Sequence, residues 1–279
     1  MTAFTTRFAP SPTGLLHRGH AFSALAAHDA ARAANGVFLL RIEDIDATRC
    51  RPAFEAAIFE DLVWLGLTWE LPVRRQSEHL AEYRAAIDRL AARGLLYRCF
   101  RTRREIAEAI ASAPHGAMET WRGPPLPADE EARRLAAGEA FAWRLSLEAA
   151  LAQAGPLTFM EEGSGPNGER GAIAARPELG GDVVLARRDV GVAYHLAVTL
   201  DDALQGVTHV IRGQDLFEAT HVQRLLQALL GLPTPVYRHH RLLTGPDGKR
   251  YAKRDHAQTL AELRAAGVTP QQLRAEMGL

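Results

Sequence analysis

Residues 5–44 constrain the fold more than any other stretch. Thr5 to Phe8 form a short extended run, and the two prolines and glycine of "APSPTG" then turn the chain. Residues 18–34, "RGHAFSALAAHDAARAA", carry Ala and Leu at helical spacing and stop at Asn-Gly. Residues 37–44, "VFLLRIED", read as a buried strand with charges at its C-terminal end. Strand, helix and strand in that order make a βαβ unit, which commits the chain to a parallel sheet and the α/β class.

Further helical patterns cover residues 52–65, 78–93 and 103–113, and residues 112–127 are rich in Pro and Gly. This middle section reads as a mostly helical insertion. The α/β rhythm resumes near residue 181, with strands expected at 182–187 and 192–197, then a helical turn toward 201–205. A strand at 206–213, a helix at 215–231 and a strand at 235–243 follow, and about 25 residues after the next loop suffice for one or two helices. The expected organisation is a first half over residues 1–95, an inserted unit over 96–180, and a second half over 181–279.

Composition removes several function classes. The chain of 279 residues is 47% apolar and 24% charged, as a soluble globular protein is, and its formal net charge is zero. A polyanionic partner would therefore have to meet a local basic face. The first 20 residues lack the apolar core of a secretory signal, and no run of about 18 apolar residues occurs, so the expected location is the cytoplasm with no membrane contact. Cys50 and Cys99 are the only cysteines, too few for a disulfide framework, and read as reduced thiols.

Two short motifs carry chemistry. In "HRGH", His17 and His20 stand three apart where the proline loop enters a helix, on one side of an N-terminus whose free N–H groups and dipole favour an anion such as a triphosphate. Gly19 between them leaves room for a nucleotide to approach the backbone. A pair of surface histidines at a cap is the plain alternative. A zinc site would need a third ligand, which the stretch does not offer. The second motif is "GPDGKRYAKRDH", residues 245–256, which holds both lysines of the chain, Lys249 and Lys253, against 31 arginines in the rest of its basic set.

Together these stretches carry a family resemblance. "RFAPSPTGLLHRGH" resembles the first signature of class I aminoacyl-tRNA synthetases in its glutamyl form, and "KRYAKR" resembles their second, mobile "KMSKS" loop. The two lie about 230 residues apart, in the family's order. Length selects within the family: the glutamyl-tRNA synthetases continue into a helical anticodon-binding region, whereas this chain resembles the shorter glutamyl-Q tRNA(Asp) synthetases.

The resemblance implies a Rossmann-like class I catalytic domain without an anticodon-binding domain, working as a monomer. It implies activation of L-glutamate by ATP with Mg2+, followed by transfer of glutamate to the queuosine base of tRNA(Asp). By the same resemblance Arg7, Ala9, Ser11, Glu43, Tyr194 and Arg212 bind glutamate. His17, Gly19, His20, Arg250 and Lys253 handle ATP, with His17, His20 and Lys253 catalytic. The residue types suit these roles, since a guanidinium clamps a carboxylate in bidentate fashion and a carboxylate such as Glu43 accepts from an ammonium. A purely structural alternative is that Arg7 and Glu43, on neighbouring strand ends, pair with each other. Val198 stands where glutamyl-tRNA synthetases usually carry asparagine. The acidic pair Asp44 and Asp46 suggests a loop network and a cap, and Asp201 with Asp202 suggests a turn with contacts on the nucleotide side.

Relatives also carry a small zinc module with ligands in a "Cys-x-Cys … Tyr-x-x-x-Cys" arrangement. Here Cys99 remains, but Arg101 replaces the second cysteine, and Ala117 and Trp121 stand where tyrosine and cysteine would be expected. Even with His115 the donors are too few, so no zinc is expected and packing around Trp121 should replace it. Three rival readings remain: a glutamyl-tRNA synthetase acting on tRNA(Glu) with a reduced surface, a non-catalytic binding paralogue suggested by Tyr251 and Ala252 in the second signature, and a nucleotidyltransferase of the same fold.

Overall fold

The computed structural model describes residues 3–111, 120–187, 191–243 and 258–279. The opening unit folds as its pattern requires. β1 (Thr5–Phe8) leads through the proline turn to α1 (Arg18–Ala33) and β2 (Val37–Ile42), with Arg7 opposite Leu39 in a parallel register. β2 is apolar along nearly its whole length because both faces are covered, as parallel strands require. It ends at Ile42, two residues before the expected end, and Glu43 turns away with its N–H donated to Pro10 O at 3.0 Å. α2 (Pro52–Trp64) starts on a proline, whose missing N–H costs nothing there, and leads to β3 (Glu70–Arg75), which pairs with β2.

α3 (Leu80–Ala92) then leads into the middle section, which is less helical than expected. Besides α4 (Arg103–Ala111), α5 (Ala128–Ala136) and α6 (Leu147–Ala154), it holds four strands. These are β4 (Leu96–Cys99), β5 (Ala142–Leu145), β6 (Thr158–Glu161) and β7 (Gly171–Ala174). They are only four residues each, too short for alternation to show against the helical patterns around them. β4 and β5 form an antiparallel sheet with β8 (Val184–Arg187).

Residues 192–197 are not a strand. Val192 and Ala193 lead into α7 (Tyr194–Leu204), with Ala193 as its N-cap, and the helix residues Leu196 to Asp202 are all buried. A helix covered on every side loses the polar face that would betray its 3.6-residue period, so a short apolar run of this kind reads equally well as a buried strand.

The second half continues with β9 (His209–Gly213), α8 (Phe217–Leu230), β10 (Val236–His240), α9 (Leu260–Ala265) and α10 (Pro270–Met277). β9, β10 and β6 run parallel, with β7 antiparallel on the outer edge. The two parallel sheets adjoin where Thr208 N–H donates to Thr5 O at 2.9 Å. From that seam the crossovers diverge, α1 carrying the chain from β1 to β2 and α8 carrying it from β9 to β10. A crevice at the C-terminal ends of β1 and β9 follows from this reversal, and open α/β sheets bind ligands in such a crevice. Leu25, Leu40, Ile42, Ile58 and Leu62 are buried between the first sheet and its helices, and Tyr83, Leu90, Leu145, Leu196 and Leu225 form a second core around α7 and α8. Full burial of side chains of this size contributes about 1.5–3 kcal/mol each. No described helix is long and apolar enough to cross a membrane.

Candidate active site

A cleft of about 410 Å³ opens where the fold predicts it. Strand ends and the α1 N-terminus supply its walls, and among the residues expected from the sequence it gathers Arg7, Ala9, His17, Gly19, His20, Glu43, Tyr194 and Arg212, together with Val198. Ser11 is exposed on the proline turn and is not among the lining residues. Lys249, Arg250 and Lys253 lie outside the described residues. The described chain on either side of them does border the cleft: Leu243 lines it, and Thr259 bridges to His17 while Leu260 N–H donates to Leu16 O at 2.8 Å.

His17 and His20 build the mouth of α1. His17 is its N-cap, accepting Gly19 N–H on Nδ1 at 3.1 Å, while His20 Nδ1 accepts His17 N–H at 3.2 Å. Two imidazoles thus form the reciprocal capping arrangement that Ser and Glu more commonly make. An Nδ1 that accepts a hydrogen bond places the proton of a neutral ring on Nε2, so both rings are set to donate from Nε2. Their centroids lie 3.8 Å apart. A Cβ at residue 19 would meet His17 Cε1 at 3.0 Å, so Gly19 leaves room for the His17 ring as well as for a ligand.

Arg7 and Glu43 do not pair with each other. Arg7 donates from Nε to Asp202 Oδ1 at 3.0 Å and from Nη2 to Asp202 Oδ2 at 3.3 Å, whereas Glu43 Oε1 accepts Nη2 of Arg41 at 3.0 Å. Arg41, fully buried on β2, also donates to Asp202 Oδ1 at 2.7 Å and lies 3.7 Å from Asp201. Asp201 in turn accepts Arg74 Nε, Gln76 Nε2 and Tyr83 OH at 2.8 to 2.9 Å. Asp201 and Asp202 are therefore buried counter-ions beneath the cleft floor, which corrects their reading as a turn with nucleotide contacts. Asp44 does join a loop network, accepting Ser77 N–H at 2.8 Å and Ser77 Oγ at 2.6 Å.

Electrostatics distinguish these groups. Burial opposes the Arg41 charge, but Asp202, Glu43 and Asp201 outweigh it and raise its pKa. Asp202 is likewise penalised by burial, yet Arg7 and Arg41 hold it below the usual carboxylate range. For Glu43 burial wins over Arg41 and Arg7, and its pKa is raised. A carboxylate in that state gains from a cation placed beside it. Burial also raises the Tyr194 pKa, keeping its hydroxyl a neutral donor. Arg212 differs from Arg7: among the described residues it bonds to neutral groups, namely His239 Nε2 at 3.2 Å, Thr220 Oγ1 at 2.7 Å, Leu216 O at 3.1 Å and Tyr194 OH at 3.5 Å. Among the described residues no carboxylate pairs with it.

The cleft also presents residues that sequence reasoning did not select, notably Ser23, His240 and Asp215. Ser23 Oγ lies 2.9 Å from His240 Nε2. The stretch "HVIRG" points to Arg212, but nothing in "YRHH" marks His239 and His240 as lying on opposite sides of a strand end.

Around the expected zinc module, Cys99 is buried with Tyr97 and Ile106, and Trp121 packs on them, donating Nε1–H to Tyr97 OH at 3.1 Å. Arg101 lies over the Trp121 ring at 5.4 Å. His115 and Ala117 lie outside the described residues. No group of three His, Cys, Asp or Glu able to hold a metal occurs among the described residues, and the donors do not fit a structural zinc.

Residues 3–279 match the family model described as tRNA synthetases class I (E and Q), catalytic domain. A glutamyl-Q tRNA(Asp) synthetase from Rhodobacter capsulatus is 51% identical over 98% of this chain and 99% of its own length. One from Symbiobacterium thermophilum is 45% identical over 95% of this chain and 82% of its own. Among solved structures, a glutamate tRNA ligase from Elizabethkingia meningosepticum in complex with its amino acid superposes with a TM-score of 0.75 at 28% identity, over 91% of this chain. The present chain spans about half, 52%, of that ligase. With the cleft, the paired histidines and near end-to-end similarity in agreement, the chain belongs to the class I tRNA synthetases (E and Q) and, within them, to the glutamyl-Q tRNA(Asp) synthetases.

Proposed function

We propose that the protein activates L-glutamate with ATP to glutamyl-adenylate and transfers the glutamate to queuosine in the anticodon of tRNA(Asp). The observation that carries this reading is the presence, in one cleft, of the Arg212 guanidinium, which no carboxylate among the described residues contacts directly, and the buried carboxylate of Glu43. A dicarboxylic amino acid answers both: a substrate carboxylate pairs directly with Arg212, and its ammonium relieves the raised pKa of Glu43. Arg7 offers a second cationic edge, Ala9 gives the backbone room for close approach, and the Tyr194 hydroxyl donates beside Arg212. Ser11 would join only if the proline turn moved toward the cleft.

Adenylate formation is an in-line attack by the α-carboxylate of glutamate on the α-phosphorus of ATP, which expels pyrophosphate. The protein's contribution is placement and charge stabilisation, and no protein nucleophile is needed. His17 and His20 donate from Nε2 toward the phosphates at the positive end of α1, Gly19 leaves space for the adenosine, and Mg2+ arrives with ATP. Arg250 and Lys253 are assigned to the departing phosphates, where a compact ammonium on a flexible stem suits a group that moves. In the second step a hydroxyl of the queuosine ring attacks the acyl carbon and releases AMP. This reading takes the enzyme as a monomer acting in the cytoplasm.

The test is glutamate-dependent ATP–pyrophosphate exchange, followed by transfer of labelled glutamate to tRNA(Asp) with and without queuosine and to tRNA(Glu). Transfer confined to queuosine-containing tRNA(Asp) is expected. Charging of tRNA(Glu) would overturn the tRNA assignment, and absence of exchange would overturn the activity.

A further inference from the structure

Behind Arg212 lies a group that the proposed chemistry does not use. His239, on β10, and Glu161, at the end of β6, are both fully buried, with His239 Nδ1 2.6 Å from Glu161 Oε2. The other Glu161 oxygen accepts the backbone N–H of His239 at 2.9 Å and of Gly163 at 2.8 Å. On the opposite side of the ring, His239 Nε2 receives Nε–H of Arg212 at 3.2 Å. A guanidinium N–H can only donate, so Nε2 has to carry a lone pair. The ring proton is then on Nδ1 and is donated to Glu161.

We infer that Glu161 and His239 are positioning residues that fix the Arg212 guanidinium for substrate carboxylate recognition, an inference that rests on the reading of Arg212 given above. The pair does two things at once. Glu161 holds His239 in the one tautomer that accepts from Arg212, and it supplies negative charge one imidazole away, too far to occupy the guanidinium edge that faces the cleft. A carboxylate in direct contact would occupy that edge, as Asp202 occupies part of Arg7. Thr220 and Leu216 O hold Nη2, which leaves Nη1, beside Tyr194, for the ligand.

The backbone around the pair is built for close approach. A Cβ on Gly163 would lie 2.2 Å from His239 O and 2.7 Å from His239 N, so glycine alone lets this segment lie against the strand. The same segment grips the chain just beyond Arg212, where Gln214 Nε2 donates to Ser164 O at 2.9 Å and Gly165 O at 3.1 Å. Residues 161–165 thus clamp the end of β9 from behind.

His239→Asn keeps a donor near Glu161 and loses the acceptor that meets Arg212, whereas His239→Gln restores a carbonyl near the position of Nε2. In ATP–pyrophosphate exchange, H239N should raise KM for glutamate by about tenfold or more, with kcat and KM for ATP within about twofold, and H239Q should recover most of the loss. E161Q, which keeps the shape of the pair and removes its charge, should raise KM for glutamate by about threefold and serves where H239N fails to fold. Unchanged KM for glutamate in the folded variants, or an equal rise in KM for ATP, overturns the positioning role. R212A separates this from the underlying reading. If it leaves glutamate binding intact, the assignment of Arg212 itself is wrong; if it abolishes binding while H239N and E161Q are silent, only the present inference fails.

Discussion

Arg7 and Arg41 share a single oxygen: Oδ1 of Asp202 accepts Arg7 Nε at 3.0 Å and Arg41 Nη1 at 2.7 Å. One arginine faces the cleft and the other is sealed inside, so the carboxylate between them ties the cleft wall to the interior. Removing it leaves two buried guanidinium groups short of a counter-charge. Asp202→Ala should cost about 3–5 kcal/mol in urea denaturation, because breaking a buried ion pair strands its partners. It should also raise KM for glutamate, since Arg7 loses both of the bonds that orient it. A variant of wild-type stability and KM would show that the array is ornamental.

Lys253 is expected to act on ATP rather than on the amino acid. Lys253→Ala should lower the rate of ATP–pyrophosphate exchange by about 100-fold or more, while glutamate affinity measured by calorimetry stays within about threefold. Exchange at the wild-type rate would remove Lys253 from the mechanism.

Asp61, on α2, gives a stability prediction with a defined pH window. Its side chain is fully buried, neither oxygen accepts a hydrogen bond, and Arg264 Nη1 is 3.4 Å away. Burial, only partly offset by Arg264, pushes its pKa up to about 6, well above the ordinary aspartate range near 4. The folded state therefore holds this proton more tightly than the unfolded state does. The carboxylate is a liability above about pH 6, and the liability fades as pH falls from about 6 toward 4. Asp61→Asn should stabilise the protein at about pH 8 by on the order of 2 kcal/mol, with the advantage shrinking across that window. Denaturation curves of the two proteins at about pH 8 and about pH 5 check this, and a pH-independent difference would contradict it.

For metal content, elemental analysis of purified protein should find well under one zinc per chain, and chelator should not shift the melting temperature. Trp121→Ala should instead loosen the packing on Tyr97 and Cys99, costing on the order of 2 kcal/mol locally for a half-buried ring, which proteolysis within residues 96–180 would report. One zinc per chain would refute the reading of this module.

Much of this is legible in the chain itself. The βαβ opening and α8 with its Gly231 stop follow local rules of period and cap and lie where residue patterns put them, and the stretch after the lysine loop holds the two short helices its length allowed. The cleft-lining Arg7, Glu43, Tyr194 and Arg212 are reached through strand ends and family motifs together. What escapes depends on contacts distant in sequence. α7 hides because Leu196 to Asp202 are buried all round, and without it Asp202 cannot be seen as the partner of arginines 195 and 161 positions away, nor Asp201 as that of an arginine 127 positions away. The Glu161–His239 contact spans 78 residues and joins two strands whose pairing no local pattern encodes.

The pairing of β6 with β10 has one more consequence. Between β5 and β8, two strands of a separate antiparallel sheet, the chain departs to lay β6 and β7 along the edge of the sheet that β9 and β10 form. Residues 96–180 are thus stitched into the sheet rather than hung from it. Cutting them out at their borders would unravel an edge of the catalytic sheet and leave Arg212 without its backing. An excision variant should therefore fail to fold, whereas a trimmed one that spares residues 158–165 has what the sheet needs.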